Sequence, residues 1–310
     1  MAERANPPVA LIAGPTASGK SALALALAEI TGGVIVNTDS AQIYRDLPVL
    51  SAQPAAEERA RAEHRLYGAL DGATACSAAD WAGMAKREIA NLHAAGRTPI
   101  LVGGTGLYLR TLLDGIAPVP PIDPAVRREV REASVAINHA RLRTLDPAAA
   151  KKLRPTDSTR VARALEVLLS SGRTLAEWQT QREGGIASNI GLTPLILLPP
   201  RKWLYQRCDE RVTQMIDAGA VAEVEALLAR GLDSDLPVMR AIGVREIAGY
   251  LRGEATLDEA MAAAQQATRR YAKRQYTWFA HQPPPDWPRF REALDLERLG
   301  DALALLQPNG

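Results

Sequence analysis

The chain has 310 residues with 37 basic and 35 acidic side chains, a formal net charge of +2. That length holds one large domain and a smaller one, and near-neutrality excludes nucleic-acid binding by bulk charge, so any such binding rests on local cationic clusters. Two isolated cysteines, Cys76 and Cys208, exclude a disulfide framework and a structural zinc site, while the lack of a signal-peptide core or membrane-length apolar run makes a cytoplasmic protein with no membrane partner the expectation.

Residues 9–13 are a short apolar run that reads as a buried strand. Gly14-Pro15-Thr16-Ala17-Ser18-Gly19-Lys20-Ser21 follows at once, and then an Ala/Leu-rich helix over 22–29. This is a complete G-x-x-x-x-G-K-[ST] phosphate loop in its required strand-to-helix setting. Its glycines let backbone N–H groups converge on an anion at a helix N-terminus. Lys20 adds a point charge, and Ser21 is placed to hold Mg²⁺.

A second apolar run, 34–37, leads into Thr38-Asp39 beside that loop. Helix 77–95 follows, with a capping box from Ser77 to Asp80 and Gly96 at its close. A third strand, 99–102, ends in Gly103-Gly104-Thr105. Strand–helix alternation implies an α/β fold: a P-loop core built on a doubly wound parallel sheet, with function beyond the C-terminal strand ends. The proline-rich segment 118–124 marks a boundary. From 124 to 182 the patterns are all helical, broken at Asp146-Pro147, Arg154-Pro155 and Gly172. This reads as a helical insertion, after which Gly184-Gly185 leads to a last strand at 195–198. Helices are predicted over 201–218, 220–230, 238–251 and 257–279, then a proline-rich 282–288 and a weakly helical tail. The domains expected are 1–117, 118–190 and 191–310.

Asp39 has two readings from spacing alone. It is either a carboxylate that holds Mg²⁺ through water or a general base. Arg207 and Arg211 stand four apart and share a helix face. Lys151, Lys152, Arg154, Arg160 and Arg163 form a cationic cluster in the insertion. In the last long helix Arg270 and Arg274 share one face, and Arg269 and Lys273 another. The four histidines show no metal-ligand spacing, and Trp81, Trp178, Trp203 and Trp287 read as packing residues.

These blocks, in this order, resemble the bacterial tRNA dimethylallyltransferases of the IPP transferase family. The resemblance rests on Gly14 to Ser21, on Asp39-Ser40-Ala41-Gln42-Ile43-Tyr44 and on Leu101-Val102-Gly103-Gly104-Thr105-Gly106-Leu107-Tyr108. It continues through Arg163-Ala164-Leu165-Glu166-Val167, Ser171-Gly172-Arg173-Thr174-Leu175 and Ala241-Ile242-Gly243-Val244-Arg245-Glu246. Its last block is Thr268-Arg269-Arg270-Tyr271-Ala272-Lys273-Arg274-Gln275-Tyr276-Thr277-Trp278.

The resemblance implies transfer of a dimethylallyl group from dimethylallyl diphosphate to the exocyclic amine of the adenosine 3′ of a tRNA anticodon. It implies Asp39 as base, Thr105 beside the target adenine, and Gly14, Pro15, Thr16, Ala17, Ser18, Gly19, Lys20, Ser21 and Arg211 on the diphosphate, with Arg207 assisting. It implies an RNA surface of Asp39, Ser40, Ala41, Gln42 and Thr105, together with Arg127, Thr159, Arg160, Val161, Ala162 and Arg163. Arg240, Ala241, Ile242, Gly243, Val244 and Arg245 form a further implied contact segment. The partners implied are a tRNA anticodon stem-loop, dimethylallyl diphosphate and Mg²⁺, and a monomer is expected. The chain departs from the family at Gln53, where a lysine is usual, at Val244, where a tyrosine is common, and at His64-Arg65. Two rival readings share the phosphate loop: a phosphotransferase, and a prenyltransferase for free adenine nucleotides.

Overall fold

The computed structural model describes residues 6–295 and 297–306. The chain divides into two units, one formed by residues up to 112 and from 187 onward, the other by 113–186. No helix among the described residues is long and apolar enough to cross a membrane.

The larger unit is built on a six-stranded parallel sheet. Its strands are β1 (Pro8–Ala13), β2 (Val34–Asn37), β3 (His64–Arg65), β4 (Pro99–Gly103), β5 (Gly191–Leu197) and β6 (Arg289–Phe290). They lie in the order β3-β2-β4-β1-β5-β6. β1 is therefore central, and its last residue, Ala13, pairs with Gly103 of β4 on one side and Ile196 of β5 on the other. The crevice outside the strand ends thus opens at the phosphate loop, as expected of a doubly wound sheet. The predicted strands recur with small shifts in their ends. β3 and β6 are two residues each, too short to leave a periodic signal, and exist by pairing with β2 and β5.

Helix α1 (Lys20–Thr31) buries Leu23, Ala24, Leu25, Leu27 and Ala28. It packs on Ala10, Ile12, Ile35, Ile100, Leu195 and Leu197 of the sheet, with Phe290 and Leu294 in the same cluster. Helix α2 (Ala56–Arg61) and helix α3 (Ala78–Ala94) follow; Ser77 caps α3 by accepting from the Asp80 N–H, and the Asp80 carboxylate closes the box. Helix α4 (Gly106–Asp114) leaves the turn after β4.

The smaller unit contains α5 (Pro124–Glu132), α6 (Val135–Leu145), α7 (Pro147–Lys152), α8 (Ser158–Ser171) and α9 (Leu175–Trp178). Asp123, Ser134, Asp146, Asp157 and Thr174 each cap the helix that follows, so local side-chain chemistry sets every break. Val130, Leu142, Val161, Ala162 and Leu165 form its core. Glu166 is buried there and is held by Arg131 at 2.6 Å.

The remaining helices belong to the larger unit: α10 (Arg201–Asp217), α11 (Ala220–Ala229), α12 (Val244–Leu251), α13 (Leu257–His281) and α14 (Leu299–Ala304). The single helix predicted over 238–251 is in fact two pieces. A 3-10 turn, Pro237–Arg240, is followed by Gly243 at φ 97°, and α12 starts afresh after it. A left-handed backbone at Gly243 ends one path and caps the next.

Candidate active site

The phosphate loop closes on itself through its own chemistry. Lys20 Nζ donates to the Pro15 carbonyl at 2.5 Å. Gly14 lies so close to β5 that an added Cβ would stand 2.5 Å from the Leu197 carbonyl oxygen. Ser18 Oγ is buried and has no hydrogen-bond partner among the described residues. Burial lowers Lys20 from its ordinary value to about 7, although Asp39 opposes the shift. Burial also lowers Arg211, again against the pull of Asp39.

Arg207 and Arg211 reach this loop from α10. Arg207 Nε donates to the Ala17 carbonyl at 3.1 Å, and Arg211 Nη1 to Thr16 Oγ1 at 3.3 Å. Arg207 also lies over the Trp203 ring, 4.8 Å from its centroid. The nearby acids do not claim these arginines: Glu210 bonds Gln206, and Asp209 pairs with Arg269.

Asp39 is set by a tight local turn at the end of β2. Asn37 Oδ1 accepts from the Asp39 N–H at 2.7 Å, and Asn37 Nδ2 donates to the Asp39 carbonyl at 3.0 Å. The carboxylate's Oδ1 accepts from the Ala41 N–H at 3.0 Å, and Oδ2 has no hydrogen-bond partner among the described residues. Thr105 Oγ1 accepts from the Ser40 N–H at 3.0 Å and donates to Ser40 Oγ at 3.3 Å, tying the β4 turn to the β2 turn.

Sequence reasoning missed two residues that join these parts. Gln275 of α13 is buried, with Oε1 accepting from the Thr16 N–H at 2.8 Å and Nε2 donating to the Gly104 carbonyl at 2.9 Å. It bridges the phosphate loop and the turn carrying Thr105. Tyr271, one turn earlier, lies beside Thr105 and Gln275, and burial pushes its phenol up. Both lie within the last motif block, among the alternating cationic and aromatic side chains of α13, whose spacing carries no mark of a contact this distant in sequence.

Two cavities meet at Arg211. One, of about 330 Å³, is lined by the phosphate loop from Ala17 to Ala22 together with Gln53, Glu58 and Arg207. The other, of about 300 Å³, is lined by Thr16, Asp39, Ser40, Ala41, Tyr271 and an apolar wall that includes Leu50, Met215 and Ile216. Arg240, Ala241, Ile242 and Gly243 also line this second cavity. Gln42 does not; its amide is spent inside the loop, donating to the Ser51 and Ala52 carbonyls. Val244 is buried as the first residue of α12, so its side chain is withdrawn from any RNA contact, while Arg245 is exposed.

In the smaller unit Arg127, Thr159 and Arg160 are exposed and Arg163 is half-buried. Val161 and Ala162 are buried in that unit's core, so of the 159–163 segment expected at RNA these two turn their side chains away from the surface. Helical periodicity turns these neighbours inward in the same turn that turns Thr159 and Arg160 outward.

The sequence model of the IPP transferase family matches residues 42–282. The chain belongs to that family. Among curated members, the tRNA dimethylallyltransferase of Sphingopyxis alaskensis is 63% identical over 96% of this chain and 97% of its own. The tRNA dimethylallyltransferase of Erythrobacter litoralis is 60% identical over 96% of each chain. Among solved structures, the full-length tRNA isopentenylpyrophosphate transferase of Bacillus halodurans superposes with a TM-score of 0.69 at 31% identity, covering 96% of both chains. A eukaryotic dimethylallyltransferase acting on tRNA gives 0.82 at 26% identity, over 96% of this chain and 77% of that one. The fold is thus that of the IPP transferases.

Within the family frame, two departures have a structural account. Gln53 Nε2 donates to the Tyr44 carbonyl at 2.7 Å while its Oε1 accepts from Arg59. That side chain organises its own loop beside the phosphate cavity. His64-Arg65 forms the short β3, with Arg65 paired to Glu63.

Proposed function

We infer that this IPP transferase moves a dimethylallyl group from dimethylallyl diphosphate to the exocyclic amine of the adenosine 3′ of the anticodon (position 37) in tRNA. One observation carries the reading: Arg211 lines both a phosphate-nest cavity and a cavity walled by Asp39 and apolar side chains. A donor gripped by its diphosphate in the first and an adenine entering the second would meet at that residue. An unpaired, extruded base can enter such a cavity. The relatives named above are dimethylallyltransferases that act on tRNA.

In the reaction, the bond between the first prenyl carbon and its bridging oxygen breaks as the bond to the adenine nitrogen forms. Charge builds on the departing diphosphate, where the loop N–H groups, Lys20, Arg207 and Arg211 stabilise it. The adenine amine is a weak nucleophile because its lone pair is conjugated with the ring, so loss of its proton helps. Asp39 accepts that proton through Oδ2, and Thr105, bonded to Ser40, holds the turn that faces the base.

Mg²⁺ fits as the counter-ion of the donor. Ser21 is exposed at the start of α1 and offers a hard hydroxyl oxygen. No group of three His, Cys, Asp or Glu side chains among the described residues could hold the ion by protein alone, so Ser21 and diphosphate oxygens would share it. When bound, the ion neutralises charge on the leaving group.

In this reading Arg127, Thr159, Arg160, Arg163, Arg240 and Arg245 contact the RNA backbone, which makes tRNA affinity fall steeply with salt. We also read the active species as a monomer, which light scattering tests. The decisive assay mixes labelled dimethylallyl diphosphate with unmodified tRNA, AMP or ATP and follows the label. Label on tRNA is the expected result; label on AMP alone, or phosphate transfer from ATP, would overturn the reading.

A further inference from the structure

The segment after Tyr44 forms part of both cavities: Leu50 and Ser51 line the one that holds Asp39, while Ala52 and Gln53 line the one that holds the phosphate loop. Its backbone is an irregular coil of turns, with Ala52 at φ 51°. Among the described residues neither helix α1 nor the sheet strands hydrogen-bond to it. Its own turns and the Gln42 amide shape it, and α11 clamps it from outside. Glu223 Oε1 accepts from the Val49 N–H at 2.7 Å, and Oε2 from the Leu50 N–H at 2.7 Å. At the far end of α11, Arg230 pairs with Asp46 and Asp71, anchoring the start of the same segment. Glu223 forms no ion pair among the described residues, so both of its oxygens serve the backbone.

We propose that Glu223 is a positioning residue for the transfer reaction, holding the 47–53 segment as the shared wall that keeps the two cavities in register. The inference rests on the two-cavity reading of function above. Two adjacent N–H groups clamped by one carboxylate fix the two peptide planes that flank Val49, the second of which leads into Leu50. Leu50 then packs against Gly243, where a Cβ would come within 2.7 Å of its Cδ1. The wall is thereby keyed between α11 and the turn that precedes α12.

The test compares Glu223→Ala and Glu223→Gln with Leu92→Ala, a core truncation in α3 remote from both cavities. Glu223→Ala should raise KM for dimethylallyl diphosphate and for tRNA by roughly five- to tenfold, the worth of a lost charge-assisted backbone clamp, with kcat changed much less. Glu223→Gln keeps one acceptor and should lie between. Leu92→Ala should lower the melting temperature and leave both KM values in place. Hydrogen exchange at Val49 and Leu50 should lose protection in Glu223→Ala, a readout that needs no activity. KM values that stay at wild type, or amides that stay protected, would overturn the proposal. A wild-type enzyme that transfers no prenyl group would instead defeat the functional reading, with the exchange result still deciding the clamp. If the alanine variant fails to fold, the glutamine variant carries the same comparison.

Discussion

Replacing Gln275 by alanine removes two hydrogen bonds that no other side chain replaces. The Thr16 N–H loses its 2.8 Å acceptor and the Gly104 carbonyl its 2.9 Å donor. Gln275 is only 6% exposed, so water reaches these groups poorly. A buried backbone group left unpaired costs about 1–3 kcal/mol, and partial access by water into the vacated space favours the lower half of that range. The expected loss is therefore about 2–4 kcal/mol of stability in the sheet-bearing unit. The same change should weaken binding of inorganic diphosphate, because Thr16, whose hydroxyl accepts from Arg211, is no longer held through its N–H. Gln275→Glu sharpens the test. It preserves volume and keeps an acceptor for Thr16, but it turns an oxygen toward the Gly104 carbonyl and brings negative charge to the phosphate site. Diphosphate binding should fall further in that variant than in Gln275→Ala. Urea unfolding followed by tryptophan fluorescence, with calorimetric titration of diphosphate, reads both effects. A Gln275→Ala protein within 0.5 kcal/mol of wild type by the ~1 kcal/mol standard of a single hydrogen bond, binding diphosphate normally, would refute the bridge.

Asp39→Ala should lower kcat by roughly 10²–10⁴, the range of a lost general base, while tRNA affinity in filter binding stays within a few-fold; near-normal turnover would return Asp39 to a metal-holding role. Lys20, lowered to about 7 by burial, should make diphosphate binding proton-linked. An anion favours the charged amine, so below pH 7 the proton is already in place and affinity is flat. Above pH 7 binding must draw a proton, and affinity should fall as pH rises, seen by calorimetry in buffers of differing ionisation enthalpy. For the free protein the sign is opposite: the unfolded chain binds the extra proton between about 7 and the ordinary lysine value of 10.5, so this group's contribution to stability rises with pH across that window. Gly14→Ala places a methyl group 2.5 Å from the Leu197 carbonyl oxygen, a backbone clash that must displace the loop; it should abolish measurable diphosphate binding while the far-UV circular dichroism keeps its helical signal.

By itself, the sequence determined what local chemistry controls. The strand, the glycine-spaced loop and the Ala/Leu helix that follows it are contiguous, so the nest was legible before any fold was known. The helix breaks at Asp146-Pro147, Arg154-Pro155 and Gly172 were legible for the same reason, because Asp146, Asp157 and Thr174 cap the helices that follow with atoms a few residues away; the break before α6 is not among those predicted, although Ser134 caps it just as locally. The missed elements lacked such a local cause. β3 and β6 exist only through pairing, and Gly243 divides a helix by a backbone angle that leaves no mark in hydrophobic spacing.

Tertiary structure alone decided which residues complete the site. Gln275 meets Thr16 across 259 positions, Arg211 meets the same residue across 195, and Glu223 meets Val49 across 174. It also decided which members of a recognised segment face outward, burying Val161, Ala162 and Val244 beside exposed neighbours. The physical reason is common to both. A hydrogen bond or a buried face depends on how helices dock on the sheet, and that docking is set by the summed packing of the whole core, which no short stretch of sequence encodes.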